Sequence, residues 1–193
     1  MNTCFTGDCR EVMKNPKFSR YWAMPSHNTF SIPEIGLFVK KYLIKSKTSI
    51  DPFARNKRLA TYTNDLNPNT QAEYHMEAKD FLAMLDNKGI RADLILFDPP
   101  YSTRQLKECY DNIDKKLSFE QTQAPHSEWR KAINKICSPD AIVLSFGWST
   151  VGMGDKYGFE IEEIMLVCHG GMHNDTICMA ERKKRTQQAG LGI

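Results

Sequence analysis

At 193 residues, 41% of them hydrophobic, the chain suffices for one ordinary domain with its own core. No apolar run approaches the length that spans a bilayer, and Met1-Asn2-Thr3-Cys4-Phe5-Thr6-Gly7-Asp8 lacks the basic-then-apolar pattern of an export signal, so a soluble, cytoplasmic protein is expected. The net charge of +3 is uneven: residues 1–58 hold 11 Lys and Arg against 4 Asp and Glu, residues 59–180 hold 11 against 18, and residues 181–193 hold 4 against 1.

If the two basic ends meet on one face, that face attracts phosphates; the alternative is a solvated surface with a charged tail. The six cysteines (4, 9, 109, 137, 168 and 178) are scattered and, without an export signal, read as reduced thiols. Cys4 and Cys9 have a spacing that opens some zinc sites, but no second Cys or His pair completes one, so no metal is expected.

Residues 1–28 carry two prolines and Phe18, Tyr21 and Trp22 with weak periodicity, which predicts an irregular arm or short helices. A helix follows, with Ser31 as its cap, Pro33 in the first turn and Glu34 three residues after the cap. Its apolar face is Ile35, Leu37, Phe38, Tyr42 and Leu43, and it ends near Lys45. Lys47 to Ala54 reads as a strand and the turn after it, closed by Arg55-Asn56-Lys57-Arg58. A second strand, Ala60 to Thr63, ends in Asn64-Asp65-Leu66-Asn67-Pro68. Residues from Glu73 predict a short third strand passing into a helix to Asn87, with Gly89 beyond its end.

Ala92 to Phe97 is a run of branched and aromatic apolar residues, the pattern of a strand buried on both faces. It stops at Asp98-Pro99-Pro100-Tyr101, because proline cannot donate to a ladder and fixes its own φ. An acid, a free carbonyl and an aromatic ring are thereby placed at the carboxyl end of a central strand, where open α/β sheets form their ligand crevices. After a polar stretch from Ser102, His126 to Cys137 predicts an amphipathic helix carrying Trp129, Ile133 and Ile136. Ala141 to Trp148 is a further buried strand, and Phe159–Cys168 with Thr176–Glu181 form a hairpin around His169-Gly170-Gly171-Met172-His173-Asn174-Asp175. His169 and His173 invite a metal reading, but turn histidines without a metal are commoner.

Asp98-Pro99-Pro100-Tyr101 resembles the Asp-Pro-Pro-Tyr motif of the amino methyltransferases, which move a methyl group from S-adenosylmethionine to an exocyclic nucleobase nitrogen. The resemblance covers roughly residues 28 to 182, and short members with Asp-Pro-Phe-Ala-Arg-Asn, as at residues 51–56, occur in phages and mobile elements. It implies a class I methyltransferase Rossmann-like α/β fold, a seven-stranded, mostly parallel sheet with a reversed final hairpin. The implied division is an arm over residues 1–28, a catalytic domain over 29–182 with a target-side insertion at 102–139, and a basic flexible tail over 183–193. The setting would be a bacterial cell or a phage-infected host.

The resemblance also assigns roles. Asp98 and the Pro99 carbonyl would accept the two amine hydrogens, with Pro100 fixing their spacing and Tyr101 stacking on the extruded base. Thr29, Phe30 and Ser31 would approach the methionine end of S-adenosylmethionine, and Asp51 and Phe53 match the first cofactor motif, although Arg55-Asn56-Lys57-Arg58 replaces its glycines. Asp65 would take the ribose hydroxyls and Leu66 cover the adenine, while Glu77-Ala78 would take the adenine amino group. Arg104 and Lys107 are candidate phosphate contacts, and Trp148 would line the same crevice. The implied activity is N6 methylation of adenine in DNA, releasing S-adenosylhomocysteine. Its rivals are N4-cytosine methylation, methylation of an adenine or guanine amine in RNA, and a methyltransferase-like nucleic-acid-binding module. A full target-recognition domain does not fit this length, so specificity would be short or supplied by a protein partner or a second copy.

Overall fold

The computed structural model describes residues 15–114, 125–171 and 173–185. Its strands are β1 Lys17–Trp22, β2 Ser49–Asp51, β3 Tyr62–Thr63, β4 Ala92–Phe97, β5 Cys137–Gly147, β6 Phe159–Cys168 and β7 Thr176–Lys183. Its α-helices are α1 Pro33–Leu43, α2 Ala78–Asn87, α3 Thr103–Asp111 and α4 Pro125–Ile136. The strands make one seven-stranded sheet in the order β1-β6-β7-β5-β4-β2-β3. Only β7 runs against its neighbours, β5 and β6, so the sheet is mostly parallel with a reversed final hairpin, as expected.

The double-sided burial of β4 organises the core. Its alternating side chains divide between the faces: Ile95 and Phe97 join Phe81, Leu82 and Leu85 of α2 and Trp129, Ile133 and Ile136 of α4. Leu94 and Leu96 join Ile35, Phe38 and Val39 of α1, with Leu144, Phe146 and Val167. Full burial of each such side chain contributes about 1.5–3 kcal/mol.

Several local expectations give way to the tertiary structure. Lys17–Trp22 is a strand rather than an irregular arm or short helices, pairing in parallel with β6 from Lys17↔Glu163 to Trp22↔Cys168. An edge strand held by backbone bonds and exposed on both faces carries no period-2 signal. The third strand shrinks to one bridge, Asn64↔Tyr74. There the buried Asn64 side chain stands in for the ladder, donating to the Pro52 and Met76 carbonyls at 3.1 and 3.0 Å and accepting the Met76 N–H at 3.1 Å. Ser31 does not cap α1; it ends a 3-10 turn, Thr29–Ser31, and the N-cap is Ile32, which has no side-chain acceptor. Leu37 is 68% exposed, since the face that meets the sheet runs through Ile35, Phe38 and Val39.

The basic ends do meet, but at the amino ends of the parallel strands, away from the crevice. Lys17, Lys41, Arg182 and Lys184 line a cavity there together with Asp93, Asp140, Glu160, Glu162 and Glu163. Lys41 pairs with Glu163, Arg182 with Glu162, Lys184 with Asp155 and Arg185 with Asp140. Their charge is compensated within the protein.

Glu181 is a buried carboxylate in β7 that organises the loop after β5. It accepts the Met153 N–H at 2.8 Å, the Gly154 N–H at 2.8 Å and the Ser145 hydroxyl at 3.0 Å. At Gly152, where φ is +41°, a Cβ would collide with that carboxylate and with Met179 Cε. Glu181→Ala strands the two N–H groups and should cost about 3 kcal/mol of stability, measured by urea denaturation. Stability within 0.5 kcal/mol or so of the parent would show that the loop does not depend on this carboxylate.

Candidate active site

Four acids come together at the carboxyl ends of the parallel strands and the helix start beyond them. Asp51 ends β2, Asp65 follows β3, Asp98 follows β4, and Glu77 is the N-cap of α2. A cavity of about 550 Å³ is lined by Asp65, Leu66, Glu77, Ala78, Asp98, Pro99, Pro100 and Tyr101, with Thr29, Phe53 and Arg55. Asp51 is fully buried: its Oδ1 accepts the Phe53 N–H at 3.0 Å, and its Oδ2 has no hydrogen-bond partner. Burial pushes the Asp51 carboxyl well above the usual carboxylate range, offset by the Phe53 N–H and reinforced by the charges of Asp98 and Asp65.

Burial also raises Asp98, and the Tyr101 and Thr29 hydroxyls partly offset it. The Tyr101 hydroxyl donates to Asp98 Oδ1, while the Tyr101 ring meets Trp148 edge-on at 5.6 Å. Burial and the Asp98 charge together hold the Tyr101 phenol neutral. The turn is braced by Gln105 Oε1, which accepts the Tyr101 N–H at 2.6 Å.

A second cavity of about 400 Å³ shares Tyr101 and Gln105 with the first and is lined also by Trp148, His173, Asn174 and Thr176 among others. Ser26, His27 and Thr29 line both cavities. The arm is held over them by its own hydrogen bonds. The Ala23 N–H donates to the Cys168 carbonyl at 3.1 Å, and His169 bridges the Ala23 carbonyl at 2.8 Å and the Thr176 hydroxyl at 2.9 Å. Both ring nitrogens of His169 are thus engaged by protein, and among the described residues no three His, Cys, Asp or Glu side chains are grouped to hold a metal ion. Cys4 and Cys9 lie outside the described residues.

The remaining candidates are placed less centrally. Asp65 uses both oxygens on backbone, accepting the Asn67 N–H at 2.8 Å and the Arg55 N–H at 3.0 Å, so it builds its turn while lining the cavity. The left-handed residue of the glycine-poor turn is Arg55, at φ +50°, rather than Asn56. Both Glu77 oxygens accept the Tyr110 hydroxyl at 2.8 Å. Phe30 packs edge-on against Phe146 at 5.0 Å in the core beneath α1, and Ser31 is exposed. Arg104 is exposed and paired with Glu108, and Lys107 is exposed on the same helix. The insertion begins as a helix, α3, whose N-cap Ser102 accepts the Gln105 N–H; residues 115–124 lie outside the described set. Sequence reasoning missed Ser26, His27, Gln105, Cys109 and Tyr110. Their only signal is proximity in space, since the arm and α3 carry no motif.

Solved structures share this fold. TrmN from Thermus thermophilus superposes with a TM-score of 0.51 at 14% identity, over 79% of this chain and 49% of its own. SMU.776, a protein assigned as a methyltransferase and complexed with SAH, gives 0.51 at 12% identity, over 75% of this chain and 48% of its own. The chain has the class I methyltransferase fold. YhhF from Escherichia coli, also assigned as a methyltransferase, gives 0.50 at 10% identity, over 84% of this chain and 92% of its own. The chain spans about half the length of the first two structures. No protein-family model and no curated protein matches the sequence.

The unpartnered Asp51 oxygen has a consequence for stability. Its carboxyl is raised in the folded state, so the stability it contributes is complete below the ordinary carboxylate range and is lost as pH rises through the raised value. Asp51→Asn keeps an acceptor for the Phe53 N–H and removes the buried charge. The variant should therefore gain stability relative to the parent as pH rises from about 4 to 8, read by denaturation at each pH. A difference that does not change with pH would place the charge of Asp51 elsewhere.

Proposed function

We propose that the protein is an S-adenosylmethionine-dependent methyltransferase of the Asp-Pro-Pro-Tyr type that methylates the N6 amine of adenine in DNA. The observation that carries this reading is that Asp98, Pro99, Pro100 and Tyr101 all line the larger of two neighbouring cavities, and Tyr101 lines the second as well. One cavity suits a nucleoside cofactor and the other an extruded base.

The residues present fit the cofactor. When bound, S-adenosylmethionine supplies an electrophilic methyl group on a sulfonium and carries an ammonium as well. The larger cavity offers Asp65, Glu77 and Asp98, with the partnerless Oδ2 of Asp51 buried close by. Asp65 would hold the ribose hydroxyls, since each of its oxygens has a lone pair beyond the backbone bond it accepts. Leu66 and Phe53 would flank the adenine, and Glu77 with Ala78 would meet its edge.

On the target side, Tyr101 and Trp148 offer aromatic faces to the base. Trp148 is 44% exposed, and Trp22, 64% exposed, stands beside Gly170 where the hairpin connection begins. Exposed rings of this kind stack on nucleotides beside an extruded one. The lone pair of an exocyclic amine is delocalised into its ring. Asp98 and the Pro99 carbonyl, accepting its two hydrogens, would localise that lone pair for in-line attack. Positive charge growing on the nitrogen would face the Asp98 carboxylate, whose raised pKa makes it a better proton acceptor than an ordinary carboxylate.

Incubation with methyl-labelled cofactor and unmethylated DNA or RNA, followed by nucleoside analysis, tests the activity and its substrate. N6-methyladenine in DNA is expected; label on cytosine or only in RNA would move the substrate, and none in any nucleic acid would end the reading. Asp98→Ala should lower single-turnover methylation by about 10²-fold or more, with cofactor affinity little changed. Wild-type turnover in that variant would show that Asp98 is not the acceptor. Tyr101→Ala removes stacking worth about 1–3 kcal/mol, so binding of the extruded base should weaken as well. Tyr101→Phe keeps the ring and should retain most activity, which base-analogue fluorescence together with single-turnover rates would read.

A further inference from the structure

The turn after β2 carries an arginine where a ligand-cradling turn would carry glycine, and that arginine is placed to do more than close the turn. Arg55 adopts φ +50°, a conformation that L residues other than Asn and Asp seldom take. Its backbone N–H donates to Asp65 Oδ2 at 3.0 Å, and its guanidinium donates to the His27 carbonyl of the arm. Arg55 therefore stands between the acid after β3 and the arm segment that carries Thr29.

Among the described residues lining the larger cavity, Arg55 is the only Lys or Arg, against Asp65, Glu77, Asp98 and Glu108. Burial raises the carboxyls of Asp51 and Asp98 and the thiol of Cys109, and the Arg55 charge opposes all three shifts, so it is felt across the crevice from β2 to α3. A guanidinium has five N–H donors in a planar fork suited to a carboxylate. Only Nη1 has a hydrogen-bond partner among the described residues.

Resting on the reading of this cleft as an S-adenosylmethionine site, we propose that Arg55 is the clamp for the ligand's amino-acid carboxylate. S-adenosylmethionine carries two cationic groups and one anionic group. The acids of the cleft match the cationic groups, and Arg55 matches the carboxylate. The substitution of glycine by arginine thus exchanges close backbone approach for a charged side-chain contact, and the bond to the His27 carbonyl fixes the guanidinium at the edge of the arm. The clamp is a specificity determinant: it separates ligands that carry the carboxylate from adenine nucleosides that lack it.

Calorimetric titration of the full chain with S-adenosylmethionine, decarboxylated S-adenosylmethionine and 5′-methylthioadenosine tests this without reference to turnover. The native protein should prefer S-adenosylmethionine over its decarboxylated form by about 10- to 100-fold, the range of charge-assisted hydrogen bonds. Arg55→Gly suits φ +50°, keeps the backbone N–H that bonds Asp65 and removes the side chain with its guanidinium. In that variant the preference should fall to within about threefold, with 5′-methylthioadenosine binding unchanged. Arg55→Lys, a point charge without the fork, should keep part of the preference.

Equal loss of affinity for all three ligands in Arg55→Gly would show that Arg55 only shapes the turn and overturn the clamp. Retention of the full preference in that variant would overturn it as well. If the native protein binds none of the three, the reading of the cleft itself fails and the clamp with it. That result is distinct from the other two, in which the native protein binds.

Discussion

The crevice depends on the termination of β4. A strand buried on both faces, with Leu94 and Leu96 in one core and Ile95 and Phe97 in the other, cannot shift register without exchanging its apolar contacts. Pro99 and Pro100 end that strand because neither can donate to a neighbour, so the polar group just before them has no ladder to join. Asp98 is held in that gap, half-buried, with its carboxyl raised by desolvation. The turn that follows is braced from α3, where Gln105 holds the Tyr101 N–H.

Around this strand end, buried polar side chains do work that regular backbone does elsewhere. Asn64 links the turn after β2 to the chain before α2 with three hydrogen bonds, replacing most of a strand. Asp65 draws Arg55 and Asn67 into one turn, which lets a chain without glycine adopt a left-handed residue at the cleft. Glu181 does the same for the loop that carries Trp148, gathering two N–H groups and a hydroxyl. Such groups cost desolvation unless every partner is in place. The loops of the site are for that reason tied to the sheet as a unit.

Charge is sorted along the strands. Acids collect at the crevice, where Asp65, Glu77 and Asp98 line the cavity with one arginine and Asp51 is buried nearby, while most of the paired lysines and arginines of the chain ends lie at the opposite end of the sheet. A cleft so arranged favours a cationic ligand. Among the described residues, Trp22 and Trp148 stand exposed.

Periodicity and punctuation in the sequence alone determined the buried strand that stops at Asp98, α2, α4 and the final hairpin, while the mostly parallel sheet was implied by the resemblance that Asp98-Pro99-Pro100-Tyr101 carries. Those features rest on local apolar patterns and on proline, whose effects do not depend on the rest of the fold. Tertiary structure alone decided the rest. Lys17–Trp22 became a strand through backbone pairing with β6, which leaves no mark on an exposed strand, and the third strand was replaced by the side chain of Asn64. Leu37 turned to solvent because α1 meets the sheet along another stripe. The arm reached the crevice only because β1 runs parallel to β6 and ends beside Cys168, so Ser26, His27 and Thr29 line both cavities. That juxtaposition joins residues more than a hundred positions apart, and contacts of that range have no periodicity by which a sequence could announce them.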